Sequence, residues 1–221
     1  MWGAGRRYGR VDRHRDGRKA TGARRLVGLT LLAAAFAFGP LAGAVAGEHE
    51  FVGHKKCRSC HKKEAIGNQY GWWLEDAHAS AWEKLGGEQA KKWAAERGID
   101  DPQQDEQCVE CHVTAYGMPD EMVSRKFDRT AGVQCEGCHG AGKDYRKKRV
   151  MVDRELSIEK GLIIPDEKLC RECHNADSPA WDPKRYEIAG GTTGFDFDQA
   201  VEKIRHPVPE GYDPLAEGEA D

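Results

Sequence analysis

The chain has 221 residues with 34 Lys+Arg, 37 Asp+Glu, a net charge of −3 and a mean hydropathy of −0.74. So polar a polypeptide offers only a thin side-chain core, and the acidic balance argues against nucleic acid and anionic membrane as partners. Residues 1–25 hold nine basic side chains against Asp12 and Asp16. An uncharged stretch from Leu26 to Ala46 follows and closes on Ala44-Val45-Ala46. A positive n-region, an apolar h-region and an A-x-A site predict a secretory signal peptide over residues 1–46, cleaved before Gly47. The n-region is long enough for the start codon to lie downstream of Met1. The uncharged stretch nearly suffices as an uncleaved anchor, but Gly39-Pro40 and the small residues at its end favour cleavage. The leader holds 9 of the 34 basic and 2 of the 37 acidic side chains. The rest of the chain therefore carries 25 basic and 35 acidic, a net of −10. That remainder is the size of one domain.

After the leader come four copies of one motif, in the order Cys57-Arg-Ser-Cys60-His61, Cys108-Val-Glu-Cys111-His112, Cys135-Glu-Gly-Cys138-His139 and Cys170-Arg-Glu-Cys173-His174. All 8 cysteines belong to a motif. In Cys-x-x-Cys-His the two thiols add to the vinyl groups of a haem as thioethers, and the adjacent imidazole becomes the proximal iron ligand. Zinc knuckles need no histidine after each second cysteine, and a disulfide framework would not explain the four histidines either. The expected cofactors are four covalently bound haem c groups, whose planes supply the apolar volume the side chains lack.

Between the motifs the periodicity predicts helices. Leu74, Ala77, His78, Ala81, Trp82 and Leu85 form one apolar stripe ended by Gly86-Gly87. Residues 88–97 form a second helix that stops at Gly98, and residues 99–107 an acidic loop. Asp196 or Asp198 caps a third helix running through Ala200, Val201 and Ile204 to His206. Short helices are expected around each motif, and strands are minor because no segment alternates with period two. The motif spacings of 51, 27 and 35 residues exclude a simple tandem repeat. The fold class is mainly α with much irregular structure, a multihaem cytochrome c of helices and loops wrapped around four haems. Residues 47–206 make the cytochrome domain and 207–221 a flexible acidic tail.

The remaining histidines decide the chemistry. Past the leader and outside the motifs there are only His49, His54, His78 and His206. A second axial ligand closes a haem iron, and an iron without one keeps a position for a small molecule. His78 on the apolar stripe and His206 after an amphipathic helix are distal-ligand candidates. His54 is too near Cys57 to cap its own haem but can reach a neighbouring one. His49, two residues from Gly47, is expected to be disordered. Three distal histidines for four haems leave at least one iron open or bound by another group.

Phe51-Val-Gly-His-Lys-Lys-Cys57-Arg-Ser-Cys60-His61-Lys-Lys and Ala77-His78-Ala-Ser-Ala81 resemble the first-haem region of the tetrahaem cytochrome c-554 family of nitrifying bacteria. Cys108-Val-Glu-Cys111-His112-Val-Thr-Ala-Tyr-Gly117, Gly132-Val-Gln-Cys135-Glu-Gly-Cys138-His139-Gly-Ala-Gly142 and Asp196-Phe197-Asp198 leading to His206 are similar to its later segments. The resemblance implies a mostly helical monomer with closely stacked haems. Three would be bis-histidine, and the second, on Cys108, Cys111 and His112, high-spin with an open distal face. It also implies a periplasmic electron carrier fed by hydroxylamine oxidoreductase. One departure matters. The family places a distal histidine after the third motif, whereas Lys143-Asp-Tyr-Arg-Lys-Lys-Arg149-Val-Met151 has none. Either His54 or Met151 substitutes, or a second haem is open. The same segment is a basic cluster that balances haem propionates or docks an acidic partner.

Three function classes follow. The leading one is a periplasmic carrier working between redox-partner proteins, a donor oxidoreductase and an acceptor cytochrome, with no stable membrane insertion after cleavage. The alternative is a small reductase acting on nitric oxide, hydroxylamine or nitrite at an open haem. The third is a haem filament in which histidines cross between subunits. The aromatics Trp72, Trp73, Trp82, Trp93, Tyr116, Tyr145 and Trp181 are expected to pack on haem faces and edges.

Overall fold

The computed structural model describes residues 49–176, 178 and 194–211. The predicted leader, Trp181 and the tail beyond residue 211 lie outside the described residues. Among those described, the chain forms α-helices of four to eight residues, two three-residue 3-10 helices and an isolated parallel bridge between Phe51 and Val123. Helices this short do not hold themselves in water. They are fixed by caps, by cross-chain hydrogen bonds and by two small apolar clusters. Leu85, Val109, Val113 and Tyr116 form one cluster, and Phe51, Ala115 and Val123 the other. The expected class, mainly α with much irregular chain, is the one observed.

The first helix, α1 (His54–His61), ends on the first motif's histidine. Its entry is built by two buried side chains from the third motif's region. The Glu136 carboxylate accepts the N–H groups of Val52 (2.9 Å), Gly53 (2.7 Å) and Gly142 (2.6 Å), and Gln134 Oε1 accepts that of His54 (2.9 Å). Gly53 adopts φ 85°, a region that favours glycine. Glu136 is 0 % exposed, and burial pushes its carboxyl up against the opposite pull of those three N–H donors.

The predicted helix through residues 74–85 is in fact two. α2 (Gln69–Glu75) stops at Asp76, whose backbone is extended, and α3 (Ala81–Leu85) begins after a turn. The cause is local. Asp76 Oδ1 accepts the backbone N–H of His78 at 2.8 Å, and such a side-chain bond competes with the helical ladder. Leu74 is consequently exposed, while Ala81 and Leu85 are buried. The intervening turn rests on the chain before the third motif. His78 O accepts Val133 N–H at 2.9 Å, and Trp73 Nε1 donates to Val133 O at 2.9 Å. A Cβ at Gly132 would fall 2.4 Å from His78 O, so this approach admits only glycine.

α4 (Glu88–Ala95) turns off at Gly98 much as predicted. The acidic loop is shorter than expected, because Asp105 caps α5 (Glu106–His112), which packs on α3 and carries the second motif. α6 (Cys135–His139) carries the third. The basic segment continues into α7 (Lys148–Met151), packed on α8 (Arg154–Glu159) with Ser157 Oγ donating to Val150 O. α9 (Glu167–Arg171) opens the fourth motif, leaving Cys173 and His174 in the turn beyond it. α10 (Phe197–Ile204) is capped by Asp196 as read from the sequence, and His206 follows it. The start of the tail is docked, since Pro207 O accepts from Gln69 Nε2 at 3.0 Å.

His49 is a correction. It is ordered, with Nδ1 2.8 Å from Asp144 Oδ2.

Glu136→Gln keeps the shape but turns an amide N–H₂ toward backbone donors. It is expected to cost about 1–3 kcal/mol, read as a lower Tm of the haem-loaded protein. An unchanged Tm would mean that the carboxylate does not hold the α1 entry.

Candidate haem centres

Three motifs end a helix on their histidine, in α1, α5 and α6. In a helix the first cysteine and the histidine are four residues apart, so they share a face with the second cysteine beside them. The eight cysteines form no disulfide, and among the described residues no group of three or more His, Cys, Asp or Glu converges as a metal cluster. The packing of α1 on α6 sets the first and third motifs side by side, with Cys57 and Cys135 close enough to act on each other electrostatically.

Each motif histidine with a recorded Nδ1 partner points that nitrogen at a carbonyl oxygen. His112 meets Ala81 O at 2.6 Å and His139 meets Ile163 O at 3.2 Å. His61 meets Gln69 Oε1 at 3.1 Å, and the Gln69 amide nitrogen is already donating to Ile66 O and Pro207 O. A carbonyl accepts only, so all three rings carry their proton on Nδ1, which makes Nε2 the unprotonated nitrogen, the form that ligates a metal. His78 reaches the same tautomer through a carboxylate, with Nδ1 2.7 Å from Asp76 Oδ1.

The structure brings together two histidine pairs that the sequence left unassigned. His78 stands against His174 with ring centroids 5.9 Å apart and planes at 88°. His206 stands against His139 at 6.0 Å and 47°. Two imidazoles each about 2 Å from one metal put their centroids roughly 6 Å apart, so both pairs suit an iron between them. Burial favours the uncharged ring at three of these four histidines. Burial, then the neighbouring His78 and His112, lowers His174 to about 4, and burial likewise lowers His139 and His206. His174 further stacks on Phe195, over which Arg171 lies.

His54 is placed differently. Its ring packs on Tyr70 and Trp73, Nδ1 lies 3.0 Å from Tyr70 Oη, and the buried Nε2 has no hydrogen-bond partner. An orphaned buried nitrogen beside Cys57 fits a protein that closes around a further group. Met151 ends α7 beside the buried Val150. Of the predicted haem-packing aromatics, Trp82 and Tyr116 lie in the cluster beside the second motif, while Trp93 lies under Arg97. Sequence reasoning missed the tethering partners. Asp76 was legible as an acid two residues before a histidine, whereas Gln69 and Ile163 carry no local signal.

The comparisons agree with this geometry. The family described as cytochrome c554 and c-prime matches residues 56–140. The curated cytochrome c-554 of Nitrosomonas europaea is 31 % identical over 186 residues, 73 % of this chain and 76 % of that protein. The solved structure of the reduced state of cytochrome c554 from Nitrosomonas europaea superimposes with a TM-score of 0.52 at 26 % identity, covering 78 % of this chain and 96 % of that one. With its four Cys-x-x-Cys-His motifs, the chain belongs to the cytochrome c-554 family of electron-transfer proteins and carries four covalent haem c groups.

Proposed function

We propose that the protein is a periplasmic carrier that takes electrons from a donor oxidoreductase, of the hydroxylamine oxidoreductase kind, and passes them to an acceptor cytochrome. Each haem supplies a one-electron Fe(III)/Fe(II) couple, and the residues of this chain fix where it sits and what may approach it. Cys57 and Cys60, Cys108 and Cys111, Cys135 and Cys138, and Cys170 and Cys173 hold the four haems as thioethers. His61, His112, His139 and His174 ligate from the proximal side. His78 serves opposite His174, and His206 opposite His139. His54 lies at a haem face through its buried Nε2. The haem on Cys108, Cys111 and His112 is the open one.

The observation that carries this reading is the pair of facing imidazoles, 5.9 and 6.0 Å apart. Two axial ligands held by their surroundings suit electron transfer, because neither has to leave. A reductase would also need proton donors at the open haem. The apolar cluster at α5 is made of Leu85, Val109, Val113, Tyr116 and Trp82. Among them the Tyr116 phenol is pushed up by burial, which makes it a poor proton source. Among the described residues no helix is long and apolar enough to cross a membrane. The signal peptide over 1–46 supports export. The exposed cluster Lys143, Arg146, Lys147, Lys148 and Arg149 offers a docking face to an acidic partner on an otherwise acidic protein.

Three outcomes are expected. The intact mass of the exported protein should equal residues 47–221 plus four haems, and free thiols found by alkylation would contradict this. His78→Ala should convert one ferric haem per molecule from low-spin to high-spin and raise its potential. Asp76→Asn should keep the spin count and shift that haem's signal, whereas spectra matching wild type would make His78 a packing residue. In stopped flow, the prereduced protein should be reoxidised by an acceptor cytochrome at least tenfold faster than by nitrite or hydroxylamine. Equal rates would instead establish the reductase.

A further inference from the structure

Two histidines outside the motifs place Nδ1 on a carboxylate. One is His78, on Asp76, and the other is His49, on Asp144 at 2.8 Å. This is the arrangement that orients a metal-ligating imidazole and strengthens it as a donor, since the carboxylate keeps the proton on Nδ1 and leaves Nε2 bare. His49 is also anchored. Glu50 O accepts Lys143 N–H at 3.1 Å, the Glu50 carboxylate pairs with the Lys143 ammonium, and Phe51 is bonded on both sides to Met122 and Ser124. Its ring lies over Gly161, where φ is 98° and a Cβ would fall 2.8 Å from Nε2. That cradle exists only because the residue is glycine.

We infer that His49 is the sixth ligand of the haem held by Cys57, Cys60 and His61. The inference rests on the assignment of His78 and His206 made above, which leaves the irons of the first and second motifs. His49 lies on the side of the first. Residues 49–53 run directly into α1, and Glu136 ties Val52 and Gly53 beside Cys57. Arg146, two residues beyond Asp144, acts electrostatically on Cys57. His112 is held on Ala81 beside the other apolar cluster. His54 does not fill this role. It stands seven residues before His61 on the same face of α1, so it approaches the haem from the side His61 already occupies. His49 stands ahead of α1 and off that helix face, held against Asp144 and Gly161, which leaves it free to serve the other side of the haem. Rotation about χ1 and χ2 turns Nε2 off the glycine cradle while the backbone clamp holds. The Asp144 carboxylate, 40 % exposed, has room to follow.

The test is electron paramagnetic resonance and magnetic circular dichroism of the ferric, haem-loaded protein. Wild type should show three low-spin haems and one high-spin. His49→Ala should show two of each, with added imidazole restoring the third low-spin haem, which a purely structural role would not allow. Asp144→Asn should keep three low-spin haems and shift the signal of one. Three low-spin haems in His49→Ala would overturn the inference. So would a wild type with only two, provided that His78→Ala and His206→Ala each still remove one. If those two variants change nothing, the failure belongs to the earlier assignment.

Discussion

One buried carboxylate joins the two halves of this structure. Glu136 sits between the cysteines of the third motif, yet two of its three backbone partners, Val52 and Gly53, precede the first. Replacing water around a carboxylate by fixed N–H donors is favourable only when the donors are already aimed at it. The aiming comes from Gly53 in its left-handed conformation and from the turn at Gly142. With Gln134 completing the entry to α1, the first motif is positioned by side chains of the third. The side-by-side placement of Cys57 and Cys135 follows from this, as does the docking of residues 49–51 on the segment after α6.

The histidines show a second regularity. Three motif imidazoles, those of His61, His112 and His139, lean on neutral carbonyl oxygens, whereas His78 and His49, outside the motifs, lean on carboxylates. An anionic partner makes an imidazole more electron-rich than a neutral one does, and a more electron-rich axial ligand stabilises the ferric state. On the proposed ligand assignment, the chain sets different potentials with the same ligand type by what stands behind each ring. The same tethers provide rigidity, because a ring held at Nδ1 keeps its angle when the iron changes charge.

Much of this was legible in the sequence, and for identifiable reasons. The motifs are covalent chemistry and need no tertiary context. The C-terminal helix was readable because Asp196 is a strong cap followed by helical periodicity. The stripe from Leu74 to Leu85 was misleading. Its spacing was helical, but Asp76 offered the backbone a competing partner, and the helix broke there to aim His78. The order of His49 was invisible because its partners, Asp144 and Gly161, lie about a hundred residues away. The pairing of His78 with His174, and of His206 with His139, was equally out of reach, since periodicity reports faces and not which faces meet.

The nearness of Cys57 to Cys135 bears on how the protein is made. In an oxidising compartment two thiols brought side by side by folding are able to oxidise to a disulfide. A chain that folded before its haems were attached would bring together one cysteine from each of two motifs and lose both attachment sites in one oxidation. Maturation is therefore a race, and the order of events is imposed by the fold itself. Thioether formation must run ahead of the Glu136-centred collapse, and a haem lyase acting on this chain has to meet it while it is still extended.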